Sequence, residues 1–214
     1  MKYDAVIFDL DGTLTDNLAD LRNSVNYALG HFGFLERTTE EIRSFVGNGV
    51  KRLVFLSVPE NTPDDISEKC LAVFKEHYAV NSLVETKPYE GITDMLKKLK
   101  ENNVKTAVVT NKIHSAATEI VEYFFGDLID VTVGQIDGMA QKPQPDGIYK
   151  ALDFLGIPKE KAIYVGDSEV DCITAKNADI PCVGVTWGFR DRDVLVENGA
   201  DYVADSISEI FDYI

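Results

Sequence analysis

Apolar residues follow two rhythms along this chain, and the order in which those rhythms alternate predicts its architecture. Ala5, Val6, Ile7 and Phe8 form a short continuous apolar run between Asp4 and Asp9, the pattern of a strand buried on both faces. Similar runs occupy 106–109, 162–165 and 182–185, with weaker ones at 131–133 and 202–204. Between them, Ile92, Met95, Leu96 and Leu99 recur at helical spacing, with Lys97, Lys98 and Lys100 on the opposite side. The segments 116–124, 145–155 and 171–178 behave alike. Strand and helix thus alternate from residue 90 onward, which predicts βαβ units and an open α/β sheet.

Residues 17–78 carry helical patterns but no strand. Leu18, Leu21, Val25 and Leu29 mark a first helix over 17–32, and Thr38 with Glu41 reads as a capping box opening a second. Gly47, Asn48 and Gly49 interrupt the pattern before a third helix at 50–56, and Pro63 precedes a fourth reaching 78. One strand, then helices only, then resumed alternation predicts a Rossmann-like parallel-sheet core carrying an inserted α-helical cap. The expected boundaries are 1–15 and 84–214 for the core and 16–83 for the cap.

Charge narrows the choice of partner. The 21 basic and 36 acidic residues among 214 give a formal charge of -15. Such a surface repels nucleic-acid backbones and anionic membranes, so neither is expected as a partner. An anionic substrate would need local cations to reverse the field, and the same charge also favours solubility. Cys70, Cys172 and Cys182 are odd in number and lack a CxxC pair, which argues against a disulfide framework or zinc site. Residues 1–4 lead into a strand pattern rather than a signal peptide, and no apolar run approaches the roughly 20 residues that span a bilayer. A cytoplasmic location is expected.

Four polar motifs each follow a predicted strand, where an open α/β sheet forms its binding crevice. Asp9 and Asp11, two apart beyond the first strand, would face a shared site, and such close like charges call for a cation. Magnesium, which takes oxygen ligands, fits; read alone, the motif is also a turn carrying aspartates. Thr110 and Asn111 offer donors to a phosphate near a helix N-terminus, or simply cap that helix. Lys142, stiffened by Pro143 and Pro145, would offset phosphoryl charge, or sit solvated in a loop. Asp167 and Asp171, four apart after Gly166, either cap a helix or complete an oxygen-rich metal site with Asp9 and Asp11. Each motif is weak alone; their joint order is specific.

With these motifs in sequence, the chain resembles the haloacid dehalogenase superfamily phosphatases over nearly its whole length. Gly12 to Asp16 and the segment from Phe45 to Val50 make it most similar to the phosphoglycolate phosphatase-like branch. The resemblance implies that Asp9 attacks phosphorus to form an aspartyl-phosphate and that Asp11 acts as acid, then base. It also implies that magnesium is held by Asp9, the Asp11 carbonyl and Asp167, with Asp171 acting directly or through water. Thr110, Asn111 and Lys142 would hold phosphoryl oxygens. Asp11 favours phosphoryl chemistry, because the family's dehalogenases lack an acid at that position. The expected substrate is a small phosphomonoester like phosphoglycolate. Alternatives are a pyrophosphatase or nucleotidase of the same fold, a phosphoglucomutase-like transferase, or a non-catalytic phosphate-binding module. A mutase would need an acid-base group on the cap, where His31 and His77 lie; a histidine on a helix is commonly structural. Substrate choice is expected to rest with the cap, where Gly47, Asn48, Gly49 and Lys51 or Arg52 are the candidates, against the plainer reading of a helix break followed by solvated basic residues. Trp187 either lines the cleft or packs, and His114 has no evident role.

Overall fold

The structure is a computed structural model describing residues 1–214. In chain order the strands and helices are β1 (Ala5–Phe8), β2 (Thr15–Asp16), α1 (Leu18–His31), α2 (Thr39–Phe45), α3 (Gly49–Ser57), α4 (Asp64–Asn81), β3 (Lys87–Pro88), α5 (Ile92–Glu101), β4 (Lys105–Ile113), α6 (His114–Phe124), β5 (Val131–Gln135), α7 (Asp146–Leu155), β6 (Ala162–Gly166), α8 (Glu169–Ala178), β7 (Cys182–Val185), α9 (Arg192–Glu197) and β8 (Tyr202–Ala204). Two compact units result: Met1–Thr15 with Pro88–Ile214, and Asp16–Lys87.

The first unit is built on a six-stranded sheet in the order β5-β4-β1-β6-β7-β8, with its paired neighbours parallel. All four residues of β1 are buried, as a central strand covered on both faces requires. Because side chains alternate along a strand, Ala5 and Ile7 join one core layer with Ile148, Ala151 and Leu152 of α7 and with Cys172 and Ala175 of α8. Tyr164 lies in the same layer. The other face is served by α5, whose buried stripe is Ile92, Met95, Leu96 and Leu99, packing against β4. At about 1.5–3 kcal/mol per fully buried large apolar side chain, this stripe alone fixes α5 against the sheet.

One local feature departs from the strand pattern. The sequence predicts β4 over 106–109, but it runs on to Ile113 through a bulge: Val109 pairs with Val133 and Ile113 with Gln135. Four residues on β4 therefore span two on β5, and Thr110, Asn111 and Lys112 leave the flat ladder at its carboxyl end. Gly134 lies opposite. A Cβ there would come within 2.6 Å of the His114 Cα and 2.7 Å of the Lys112 carbonyl, so only glycine lets the bulge pass.

The second unit is α-helical from α1 to α4, with its own core of Leu21, Val25, Leu29, Ile42, Leu53, Val54, Leu71 and Phe74. Thr38 and Glu41 form the capping box of α2. Asp20, buried in the first turn of α1, accepts hydrogen bonds from the Glu85 and Thr86 N–H groups and from the Thr86 hydroxyl, at 2.8–3.0 Å. No helix is long and apolar enough to cross a membrane, and all three cysteines are buried free thiols.

Candidate active site

Every core motif comes off the carboxyl end of a strand. Asp9 is the first residue beyond β1, and its N–H donates to the Val165 carbonyl of β6 at 2.9 Å, so the sheet itself sets its position. Asp167 follows β6, and Asp171 sits in the first turn of α8. Each of the three offers one carboxylate oxygen to a group spanning no more than 4.8 Å, and all three are buried. Lys142 reaches Asp9 and Asp171 from the loop after β5, immediately before a cis Lys142–Pro143 bond. Its Nζ lies 2.9 Å from Asp9 Oδ1, 2.7 Å from Asp171 Oδ1 and 3.0 Å from the Tyr164 hydroxyl.

One ammonium cannot balance three buried carboxylates. Burial pushes Asp9 up to about 7, with Asp171 and Asp11 adding to the rise and Lys142 opposing it. Asp167 is held well above the usual carboxylate range by burial and by Asp171 and Asp9, against the Phe189 N–H and the Thr13 hydroxyl. Burial alone would lower Lys142, but the Asp171 and Asp9 charges outweigh it and hold the ammonium above its ordinary value. An all-oxygen donor set with this excess of negative charge suits a hard divalent cation.

The donors are not equivalent. Asp171 Oδ1 accepts from Lys142 and Tyr164, and Oδ2 accepts from the Ser168 N–H at 3.0 Å and the Ser168 hydroxyl at 2.6 Å. A carboxylate has about four lone-pair positions, and each has a donor within 3.1 Å, the Tyr164 hydroxyl being shared with the Val109 carbonyl at 3.1 Å. One Asp171 oxygen thus caps α8, as the cap reading expects, and the other fixes Lys142. Asp167 accepts one hydrogen bond on each oxygen, from Thr13 Oγ1 and from the Phe189 N–H, both at 2.8 Å. Asp9 and Asp167 thus retain lone pairs for an ion.

Close backbone approach packs the neighbouring loops against these aspartates. A Cβ on Gly188 would lie 2.5 Å from the Asp167 Cγ, one on Gly12 2.7 Å from the same atom, and one on Gly166 2.8 Å from Asp171 Oδ2. Gly12 also has φ +90°, a conformation that side-chain-bearing residues avoid.

The remaining core candidates divide. Thr110 is buried, and its hydroxyl accepts from the Lys112 N–H at 3.2 Å. The Asn111 amide clasps the Lys142 backbone, donating to its carbonyl at 3.1 Å and accepting from its N–H at 2.8 Å. Its side chain is thus a brace for Lys142, a role the motif alone did not suggest. The Asp11 carboxylate lies outside the three-aspartate group and pairs with Lys112 Nζ through both oxygens, at 3.1 and 3.0 Å. Lys112, Tyr164 and Thr13 were all missed by sequence reasoning. Lys112 and Thr13 carried a signal, one adjoining and one lying within a strand-end motif, and Tyr164 carried none.

Within the helical unit, Gly47 and Gly49 take positive φ values of 123° and 81° around Asn48, which precedes α3. Lys51 is exposed, pairs with Glu68 and lies over the Phe55 ring. His77 stacks on Tyr27 with centroids 4.1 Å apart and its Nδ1 lies 3.0 Å from the Ser24 hydroxyl; His31 packs edge-on to Phe32. Trp187 donates to the Thr13 carbonyl at 3.1 Å, and His114 Nδ1 accepts from the Gly134 N–H at 3.3 Å. Trp187 is thereby tied to the Asp9–Thr13 loop, and His114 to the strand facing the bulge.

Comparison with known proteins places this arrangement in a family. Residues 6–185 match the family model described as haloacid dehalogenase-like hydrolase. The chain belongs to the haloacid dehalogenase-like hydrolases. Among its relatives in that family, phosphoglycolate phosphatase 1 of Pseudomonas aeruginosa is 33% identical over 211 residues, covering 96% of this chain and 77% of that protein. A crystal structure from Lactobacillus delbrueckii subsp. bulgaricus, provisionally described as a phosphoglycolate phosphatase, is 34% identical with a TM-score of 0.95 and covers 100% of this chain and 99% of that one. PpaX of Caldanaerobacter subterraneus subsp. tengcongensis, provisionally described as a pyrophosphatase, is 32% identical over 100% of this chain and 96% of its own length. As a haloacid dehalogenase-like hydrolase of the phosphoglycolate phosphatase-like kind, the chain has the α/β core that its strand pattern predicts.

Proposed function

We propose that this hydrolase is a magnesium-dependent phosphatase acting on a small phosphomonoester like phosphoglycolate through an aspartyl-phosphate on Asp9. The observation that carries the reading is the buried Asp9, Asp167 and Asp171 group, with Lys142 paired to Asp9 and Asp171 and with Asp11 two residues from Asp9. Asp9 and Asp167 would hold magnesium, which supplies a positive charge that screens nucleophile from phosphate. Asp171, with its lone pairs filled, would act by holding Lys142.

An Asp9 oxygen forms a bond to phosphorus as the ester P–O bond breaks, and the bonding pair passes to the departing oxygen. Asp11 gives that oxygen a proton, leaving as an alcohol. A water oxygen then attacks phosphorus, the bond to Asp9 breaks, and Asp11 takes the water proton back. Lys142 and Thr110 would hold the non-bridging oxygens as charge shifts during both steps. The cations in the pocket answer the repulsion expected from a net charge of -15.

A phosphate-release screen across small phosphate esters, run with magnesium and then with EDTA, tests the reading. The expected result is magnesium-dependent release, with Asp9→Asn reduced to background while remaining folded. No release from any ester, or release indifferent to EDTA, refutes it. The likeness to PpaX supports a second reading, a pyrophosphatase; preferential release from pyrophosphate in the same screen would select it.

A further inference from the structure

Lys112 is buried, with its side chain only 4% exposed, yet it has no part in the group around Asp9. Its ammonium meets both oxygens of Asp11. The backbone is shaped to put it there: the β4 bulge lifts residues 110–112 off the ladder, the Lys112 N–H is tied to the Thr110 hydroxyl, and Gly134 leaves room for the Lys112 carbonyl. Burying an ammonium costs several kcal/mol unless a partner compensates, so an arrangement this built-up holds Asp11 in a fixed place. Asp11 is 17% exposed on its side chain, and without Lys112 it would gain rotamers directed at solvent.

We propose that Lys112 is a positioning residue for the acid-base carboxylate of Asp11. It engages both Asp11 oxygens in the unprotonated form, which is the form that must accept the proton of the attacking water. The inference rests on the phosphatase reading above. Its distinctive consequence is that the two halves of the reaction respond differently. A leaving group that departs without a proton, such as p-nitrophenolate, lets phosphorus transfer to Asp9 with no help from Asp11. Hydrolysis of the aspartyl-phosphate still needs Asp11 in place.

The test is rapid-mixing kinetics of Lys112→Met with p-nitrophenyl phosphate and magnesium. The expected result is a burst of about one p-nitrophenolate per site, at a rate within about threefold of the wild type. Steady turnover should fall by about tenfold or more, since positioned acid-base groups contribute roughly 10²–10⁴ in rate. Lys112→Arg, which keeps the charge and the donors, should restore at least part of the steady rate. Equal slowing of burst and steady turnover would mean that Lys112 serves phosphate binding or folding, and the proposal falls. Unchanged steady turnover overturns it too. Failure of the phosphatase reading looks different, because the wild type would then release no p-nitrophenolate.

Discussion

Asp171→Asn isolates what a saturated, buried carboxylate does for this site. The substitution preserves shape but removes a charge and turns one acceptor atom into a donor. In its better orientation the new carbonyl serves Lys142 and Tyr164, and the new NH₂ faces Ser168. The Ser168 hydroxyl can rotate to accept, but the Ser168 N–H cannot, so one buried donor is orphaned at about 1–3 kcal/mol. Breaking a buried ion pair typically costs about 3–5 kcal/mol. Because Lys142 keeps Asp9 at 2.9 Å, the lower end applies, and a loss of about 3 kcal/mol is expected with magnesium present. For a chain of this size that is a fall of about 6–12 °C in the unfolding midpoint. In EDTA the loss should be smaller, since removing the Asp171 charge also relieves the repulsion that raises Asp9 and Asp167. Scanning calorimetry of both proteins in magnesium and in EDTA measures both quantities. An unchanged midpoint in magnesium, or a larger loss in EDTA, would refute the reasoning.

Other consequences can be checked separately. Below about 7 Asp9 carries a proton in the metal-free protein, so magnesium affinity should weaken as pH falls through that value and binding should release protons there; calorimetric titration in buffers of different ionisation heat reads both. At the same group the folded state binds more protons than the unfolded between 3.8 and about 7, so the metal-free chain should lose stability as pH rises across that window. Gly188→Ala forces a methyl onto Asp167 and should weaken magnesium binding by about tenfold or more, the range reported for displaced metal-supporting groups; calorimetric titration on folded protein would show it. Asp20→Ala orphans the N–H groups of Glu85 and Thr86, and at about 1–3 kcal/mol for each buried donor it should make the chain near 85 an early cleavage point in limited proteolysis.

The sequence made some of this legible and not the rest, for physical reasons. Strand and helix alternation requires only periodicity, and the apolar runs of β1, β6 and β7 are visible because central parallel strands are apolar throughout. The strand-end aspartates were visible because polar residues just past such a run have few structural reasons to recur. Tyr164 was not, since inside an apolar run it reads as one more core residue, and only the fold shows its hydroxyl against Lys142 and Asp171. The bulge in β4 was hidden because two extra residues in a strand look like its ordinary end. Lys112 therefore reads from the sequence as an ordinary residue just past the strand. The glycines at 134 and 188 carry meaning only beside the backbone and side chains they let approach.

The placement of β1 has a consequence for the order of synthesis. Its partners Val108 and Val165 are 100 and 157 residues further along the chain than Phe8. At about 5–20 residues per second, β6 follows β1 from the ribosome by roughly 8–30 s. Until β4 is made, this wholly apolar strand bearing Asp9 has no partner, and until β6 follows it is paired on one edge only, while the helical segment between 16 and 87, with its own core, is already complete. Asp9 is thus among the first residues made and among the last to acquire its surroundings, because Asp167, Asp171 and the Val165 carbonyl that holds its N–H all arrive with or after β6.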